Sequence, residues 1–135
     1  MVDVPSAVTD THPLLFHAAA SRHLGSRAQR FFAAAEHHQA LVYVPAAVIW
    51  EVSLLARVGR INLRRTTAGF FADLFSNPAY QPFAMTHEQV FVADDLRFTR
   101  DPFDALIAAA SRTLGVPLIT RDEVIRGSGS VKAIW

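Results

Sequence analysis

Four apolar residues in succession, Leu41-Val42-Tyr43-Val44, closed by Pro45, set the tightest limit on how this chain can fold. A strand with one face in water alternates apolar and polar residues, whereas an unbroken apolar run needs cover on both faces. That is the pattern of a central strand in a parallel sheet. Parallel neighbours in turn require crossover connections, normally helices. Further extended segments are expected near residues 4–9, 80–85, 117–119 and 131–134, with helical sequence between them. The expectation is an α/β fold: one domain built on a mostly parallel sheet of about five strands, flanked by helices on both faces.

The helices can be placed from their ends and stripes. Asp10-Thr11-His12-Pro13 turns the chain into a short helix from about Pro13 to Ala20. A second runs from Ser26 to His38, with Ala28, Phe31, Phe32 and Ala35 on one face. A third, from Ala46 to Val58, stops at Gly59 and carries the apolar stripe Val48, Leu54, Leu55 and Val58. Gly69 to Phe75 reads as helical, and Thr86 caps another helix through Ala93, followed by a polar loop at Asp94-Asp95. Asp101 before Pro102 is a helix start with proline at the first position, and Gly115 is a stop. Residues 126–130 read as turns.

Composition narrows the functional classes. The 135 residues are 51% hydrophobic and include no cysteine, which excludes disulfides and thiolate metal sites and fits a reducing compartment. No apolar stretch approaches the roughly 18 residues of a membrane span, so a cytoplasmic protein is expected. Net charge is only +1, yet every basic residue except Lys132 is arginine, whose planar fork suits phosphate. A GC-rich genome would give the same bias. The six histidines form no metal-binding spacing, and there is no phosphate-binding loop, nucleophile elbow or dinucleotide fingerprint.

The acids are the informative residues. Asp104 shares a helix face with Ile107 and Ala108, so its carboxylate points inward and needs a partner. Glu51 lies within the stripe of its own helix, either directed inward or paired with Arg57 at the stripe's edge. Asp10 follows the first strand and either caps the next helix or serves a site; Asp122 follows the strand at 117–119. Open α/β sheets bind ligands at the carboxyl ends of their strands. Four carboxylates meeting there with no lysine among them would repel strongly. Mg²⁺ or Mn²⁺ is the natural compensation, because hard cations take oxygen ligands. Arg57, Arg60, Arg64 and Arg65 cluster in sequence as either a solvated face or a phosphate-binding rim.

These features together resemble the PIN domain nucleases, and within them the VapC-type toxins of bacterial toxin-antitoxin pairs. The resemblance rests on Asp10-Thr11-His12, on Glu51 followed by Arg57-Val58-Gly59-Arg60-Ile61, on Asp101-Pro102-Phe103-Asp104 with Ile107-Ala108-Ala109, and on Thr120-Arg121-Asp122. It implies that Asp10, Glu51, Asp104 and Asp122 hold Mg²⁺ or Mn²⁺, with Thr120 and Asp101 in support. It further implies an endoribonuclease that cuts structured RNA such as tRNA or rRNA by metal-activated water, leaving a 5′-phosphate and a 3′-hydroxyl. A VapB-like antitoxin blocking the pocket and a homodimer belong to the same implication, and Arg57, Arg60, Arg64 and Arg65 are the candidate RNA contacts. The rival reading is a non-catalytic PIN-like module for RNA binding or protein interaction, which would not need the acids. A phosphoryl-transfer domain with Asp10 as nucleophile would need a lysine near the site. His12 has no assignable role.

Overall fold

Every neighbouring pair of strands runs parallel. In the computed structural model, which describes residues 4–135, the sheet has the order β3-β2-β1-β4-β5. The strands are β1 (Ser6–Thr9), β2 (Leu41–Pro45), β3 (Tyr80–Phe83), β4 (Leu118–Ile119) and β5 (Ala133–Ile134). Val8 of β1 stands between Tyr43 of β2 and Leu118 of β4. Ala7, Val8 and Thr9 are buried in succession, so both faces of the central strand β1 are covered, whereas in β2, interior but one place from the edge strand, Val42 and Val44 are buried and Leu41 and Tyr43 only partly. Strands β2 and β3 lie on one side of β1 and β4 and β5 on the other. The direction of winding therefore reverses between β1 and β4, which opens a crevice at their carboxyl ends.

The helices are α1 (Thr11–Ala18), α2 (Ser26–Glu36), α3 (Ala46–Arg57), α4 (Thr67–Phe75), α5 (His87–Asp95), α6 (Pro102–Leu114) and the short α7 (Glu123–Gly127). Their apolar sides close on a core that includes Leu14, Phe32, Val48, Ile107, Leu118 and Ile125, all fully buried. Each such side chain contributes roughly 1.5–3 kcal/mol of burial. The caps are those the sequence encodes. Asp101 accepts hydrogen bonds from the Phe103 and Asp104 N–H groups, Thr86 from Gln89 N–H, and Gly115 takes the left-handed conformation (φ +69°) that ends α6. The start of α2 is different: Arg27 and Ala28 donate their N–H groups to the Trp135 carbonyl oxygen, and a Cβ on Gly25 would stand 2.3 Å from that oxygen.

Four expectations need correction. Asp94 and Asp95 are the last residues of α5 and not a loop, because α5 continues to pack along α6. The turn-rich segment after Asp122 contains α7, which Asp122 caps. The inner face of α3 is Ala47, Val48 and Val52, whereas Val58 is 69% exposed. The first helix also begins two residues before Pro13, at Thr11. Among the described residues no helix is long and apolar enough to cross a membrane.

Candidate active site

The crevice between β1 and β4 is lined by carboxylates. Asp10, Glu51, Asp101, Asp104 and Asp122 share one cavity of about 240 Å³ with His12 and Arg121. The four acids singled out in the sequence thus come together from four places: the end of β1, the second turn of α3, the first turn of α6 and the loop after β4. Asp101, the cap of α6, brings a fifth.

Two threonines organise the acids. Thr11 donates its backbone N–H to Asp10 Oδ1 at 2.8 Å and its hydroxyl to Glu51 Oε1, so one residue at the start of α1 holds both. Thr120 donates its hydroxyl to Asp10 Oδ2 at 2.7 Å and accepts from the Asp122 N–H at 3.1 Å. Both oxygens of Asp10 are therefore fixed. Asp122 itself accepts from Ile125 N–H at 3.0 Å, so the two readings of an acid at an element's end, cap or site, are compatible. Asp10 is likewise the cap of α1 and a wall of the cavity.

The electrostatics follow from burial and crowding. Burial pushes the Asp10 carboxyl above its ordinary range against the hydrogen bonds from Thr120 and Thr11. Glu51 is raised in the same way, with Asp10 and Asp101 adding to the effect. Asp104 has no compensating hydrogen bond: burial, then repulsion from Asp101, Asp10, Asp122 and Glu51, lifts it to about 7. The alternative of a Glu51–Arg57 pair is not realised, since Glu51 is held by Thr11 and the Arg57 guanidinium lies 5.0 Å from the Trp50 ring centroid.

The acids offer oxygen donors, which suit a hard divalent cation. Asp10, Glu51, Asp104 and Asp122 are the residues that could hold one. Among the described residues no three His, Asp or Glu side chains are drawn together tightly enough to ligate an ion as they stand.

The arginines divide differently from their order in sequence. None of Arg57, Arg60, Arg64 and Arg65 lines the cavity. Arg65 donates to the Gly69 carbonyl and pairs with Asp73 at 3.3 Å, while Arg60 and Arg64 are exposed on the connection after α3. The cationic residue at the acids is Arg121, inside the Thr120-Arg121-Asp122 triplet. Its signal in the sequence was its position between two site residues. Nothing in the sequence marks Thr11, next to Asp10, as the donor to Glu51.

Residues 7–127 match the family model described as PIN domain. A comparison with curated protein sequences finds no match. Among solved structures, the chain is similar to VapBC2 from Rickettsia felis bound to a promoter DNA fragment (13% identity, 95% of this chain and 96% of that one, TM-score 0.67). It is also similar to FitAcB from Neisseria gonorrhoeae (14%, 94% and 95%, 0.64). A toxin-antitoxin complex from Klebsiella pneumoniae gives 19% identity over 93% of this chain and 94% of that one, with a TM-score of 0.62.

Proposed function

The chain belongs to the PIN domain family, and from that premise we propose that it is a Mg²⁺- or Mn²⁺-dependent endoribonuclease toxin that cuts structured RNA, tRNA or rRNA. PIN domains are generally nucleases that depend on divalent metals. The observation that carries the reading is the convergence of Asp10, Glu51, Asp104 and Asp122 on one small cavity at the winding reversal of the sheet. These four would hold the ion, which when bound offsets their charge, polarises the phosphodiester and activates water.

The chain's own residues prepare that centre. Thr120 and the Thr11 N–H fix the two Asp10 oxygens, and the Thr11 hydroxyl orients Glu51. Asp101 ties down the first turn of α6 and so fixes the base from which Asp104 projects. With the ion absent, Asp104 near neutral pH carries a proton for much of the time, which lowers the charge of the cavity. The similar solved structures, VapBC2 and the Klebsiella pneumoniae toxin-antitoxin complex, support an antitoxin partner; that it covers the acids, and that the chain is a homodimer, are assigned from the family resemblance alone. Arg57, Arg60, Arg64 and Arg65 are assigned to RNA contacts outside the cavity.

The test is incubation of total RNA and of purified tRNA with the protein in Mg²⁺, in Mn²⁺ and in EDTA, beside Asp10→Asn and Asp104→Asn. Discrete fragments with 5′-phosphate ends, absent in EDTA and in both variants, are the expected result. Folded protein that binds these RNAs and cuts none of them with either metal would leave the non-catalytic module as the better reading.

A further inference from the structure

One cationic side chain stands in the wall of the acid cavity, and the function above gives it no task. Arg121 follows Thr120 and precedes Asp122, so the backbone that positions two site residues also positions its guanidinium. A free arginine among five carboxylates would collapse onto them as an ion pair. Among the described residues Arg121 forms no such pair. Its guanidinium instead lies over the Phe16 ring of α1, 4.8 Å from the centroid. Phe16 is half-buried and has the His12 and His23 rings for neighbours, at 6.2 and 5.7 Å. The cation at the cavity mouth is thus kept off the anions beside it.

An RNA strand approaching this cavity meets a field of its own sign. A fixed guanidinium at the mouth answers that problem, because its planar fork matches the oxygens of a phosphate and its aromatic support limits the freedom lost on binding. We propose that Arg121, held in place by Phe16, is the residue that receives a phosphate of the RNA backbone at the mouth of the acid cavity. Phe16 is then a positioning residue that acts through Arg121. The inference rests on the nuclease reading for its substrate class.

Two measurements on tRNA separate its failure from the failure of that reading. The first is steady-state cleavage by the wild type and by Arg121→Gln, Arg121→Lys and Phe16→Leu. The second is anisotropy of fluorescein-labelled tRNA with the same substitutions made on Asp104→Asn, across a KCl series, where no turnover intervenes. Arg121→Gln should raise KM about tenfold with kcat within about twofold, weaken binding about tenfold, and reduce the slope of log K against log[KCl] by roughly 0.7–0.9. Arg121→Lys should restore the slope but only part of the affinity, since it keeps the charge and loses the fork. Phe16→Leu should raise KM and lower the slope part of the way toward that of Arg121→Gln, because the guanidinium is released toward the acids. Circular dichroism and Tm verify that each variant is folded. Wild-type KM, affinity and slope in Arg121→Gln would overturn the proposal, as would a fall in kcat alone or a change confined to Tm. If the wild type cuts no RNA, the nuclease reading fails by itself, and the anisotropy series still decides whether Arg121 binds phosphate.

Discussion

At His17, Glu36 and Tyr80 a carboxylate is surrounded by donors; in the cavity after β1 and β4, carboxylates are surrounded by one another. Glu36 Oε1 takes the Tyr80 hydroxyl at 2.7 Å and lies 2.9 Å from His17 Nε2, and Asn77 approaches Oε2 at 3.5 Å. The His17 ring stacks on Phe32 at 4.5 Å. Burial pushes Glu36 up, but the His17 and Tyr80 hydrogen bonds outweigh it and leave the carboxyl below its usual range. Burial and Glu36 together keep the Tyr80 phenol protonated. This cluster satisfies itself and ties α1, α2 and β3 together. The acid cavity leaves Asp104 raised to about 7 with no donor of its own. A polar cluster that is internally complete is structural, and one that is incomplete without a further charge marks a binding site.

The largest effect that would break this contrast is on activity. Asp10→Asn or Asp104→Asn should reduce RNA cleavage by at least roughly a hundredfold with the circular dichroism spectrum unchanged. Tyr80→Phe, which disturbs the complete cluster, should leave cleavage within about twofold. Comparable losses from Tyr80→Phe would show that the two clusters are not separate in function.

Stability should follow the opposite order. Glu36→Ala leaves the Tyr80 hydroxyl, on a residue 1% exposed, with only His17 Nε2, 3.1 Å away, to accept from it, at a cost of about 1–3 kcal/mol. Because Glu36 is half exposed and water can enter, the low end is expected. Thermal unfolding should register this as a fall of several degrees in Tm. An unchanged Tm would mean that the cluster does not hold α2 to β3.

In the acid cavity, removing charge should stabilise. The folded pKa of Asp104, about 7, lies above its unfolded value, so ionising this group favours unfolding. The metal-free protein should therefore lose stability as pH rises from about 4 through 7. Asp104→Asn should reduce that loss and stabilise the metal-free protein at pH 8 by on the order of 1 kcal/mol after allowance for solvent screening of a half-exposed group, read as a higher Tm. Mg²⁺ should stabilise the wild type at pH 8 and have less effect on the variant. A lower Tm for metal-free Asp104→Asn would sink the idea that repulsion dominates the cavity.

The sequence revealed what depends on local chemistry. Apolar runs located the strands, and Asp101-Pro102, Thr86 and Gly115 located helix ends, because each acts within a few residues of itself. The acids were legible since a carboxylate beside Ile107 and Ala108, or at a strand's carboxyl end, is anomalous wherever the rest of the chain goes. Tertiary effects were hidden. Two acids at the end of α5 oppose the helix dipole and read as loop, until packing along α6 is known. The cluster Arg57, Arg60, Arg64 and Arg65 looked like one surface, yet Arg57 turns to Trp50 and Arg65 to Asp73. Nothing local joins Thr11 to Glu51, forty residues away, or His17 to Glu36 and Tyr80.

The smallest predicted effect completes the contrast. Because the folded pKa of Glu36 lies below its unfolded value, its contribution is fully present above about 4.5 and is lost as pH falls through the folded value. Urea unfolding of the wild type should therefore show stability falling on the acid side of 4.5, and Glu36→Gln should flatten part of that limb by lowering stability slightly at pH 7, where the contribution is present. The metal-free acid cavity runs the other way, gaining stability as pH falls from 8 toward 5. The two clusters thus impose opposite slopes in adjacent pH windows, and Glu36→Gln and Asp104→Asn should each weaken one slope and leave the other. An acid limb unchanged in Glu36→Gln would mean that water screens the half-exposed carboxylate so well that its donors set geometry and not free energy.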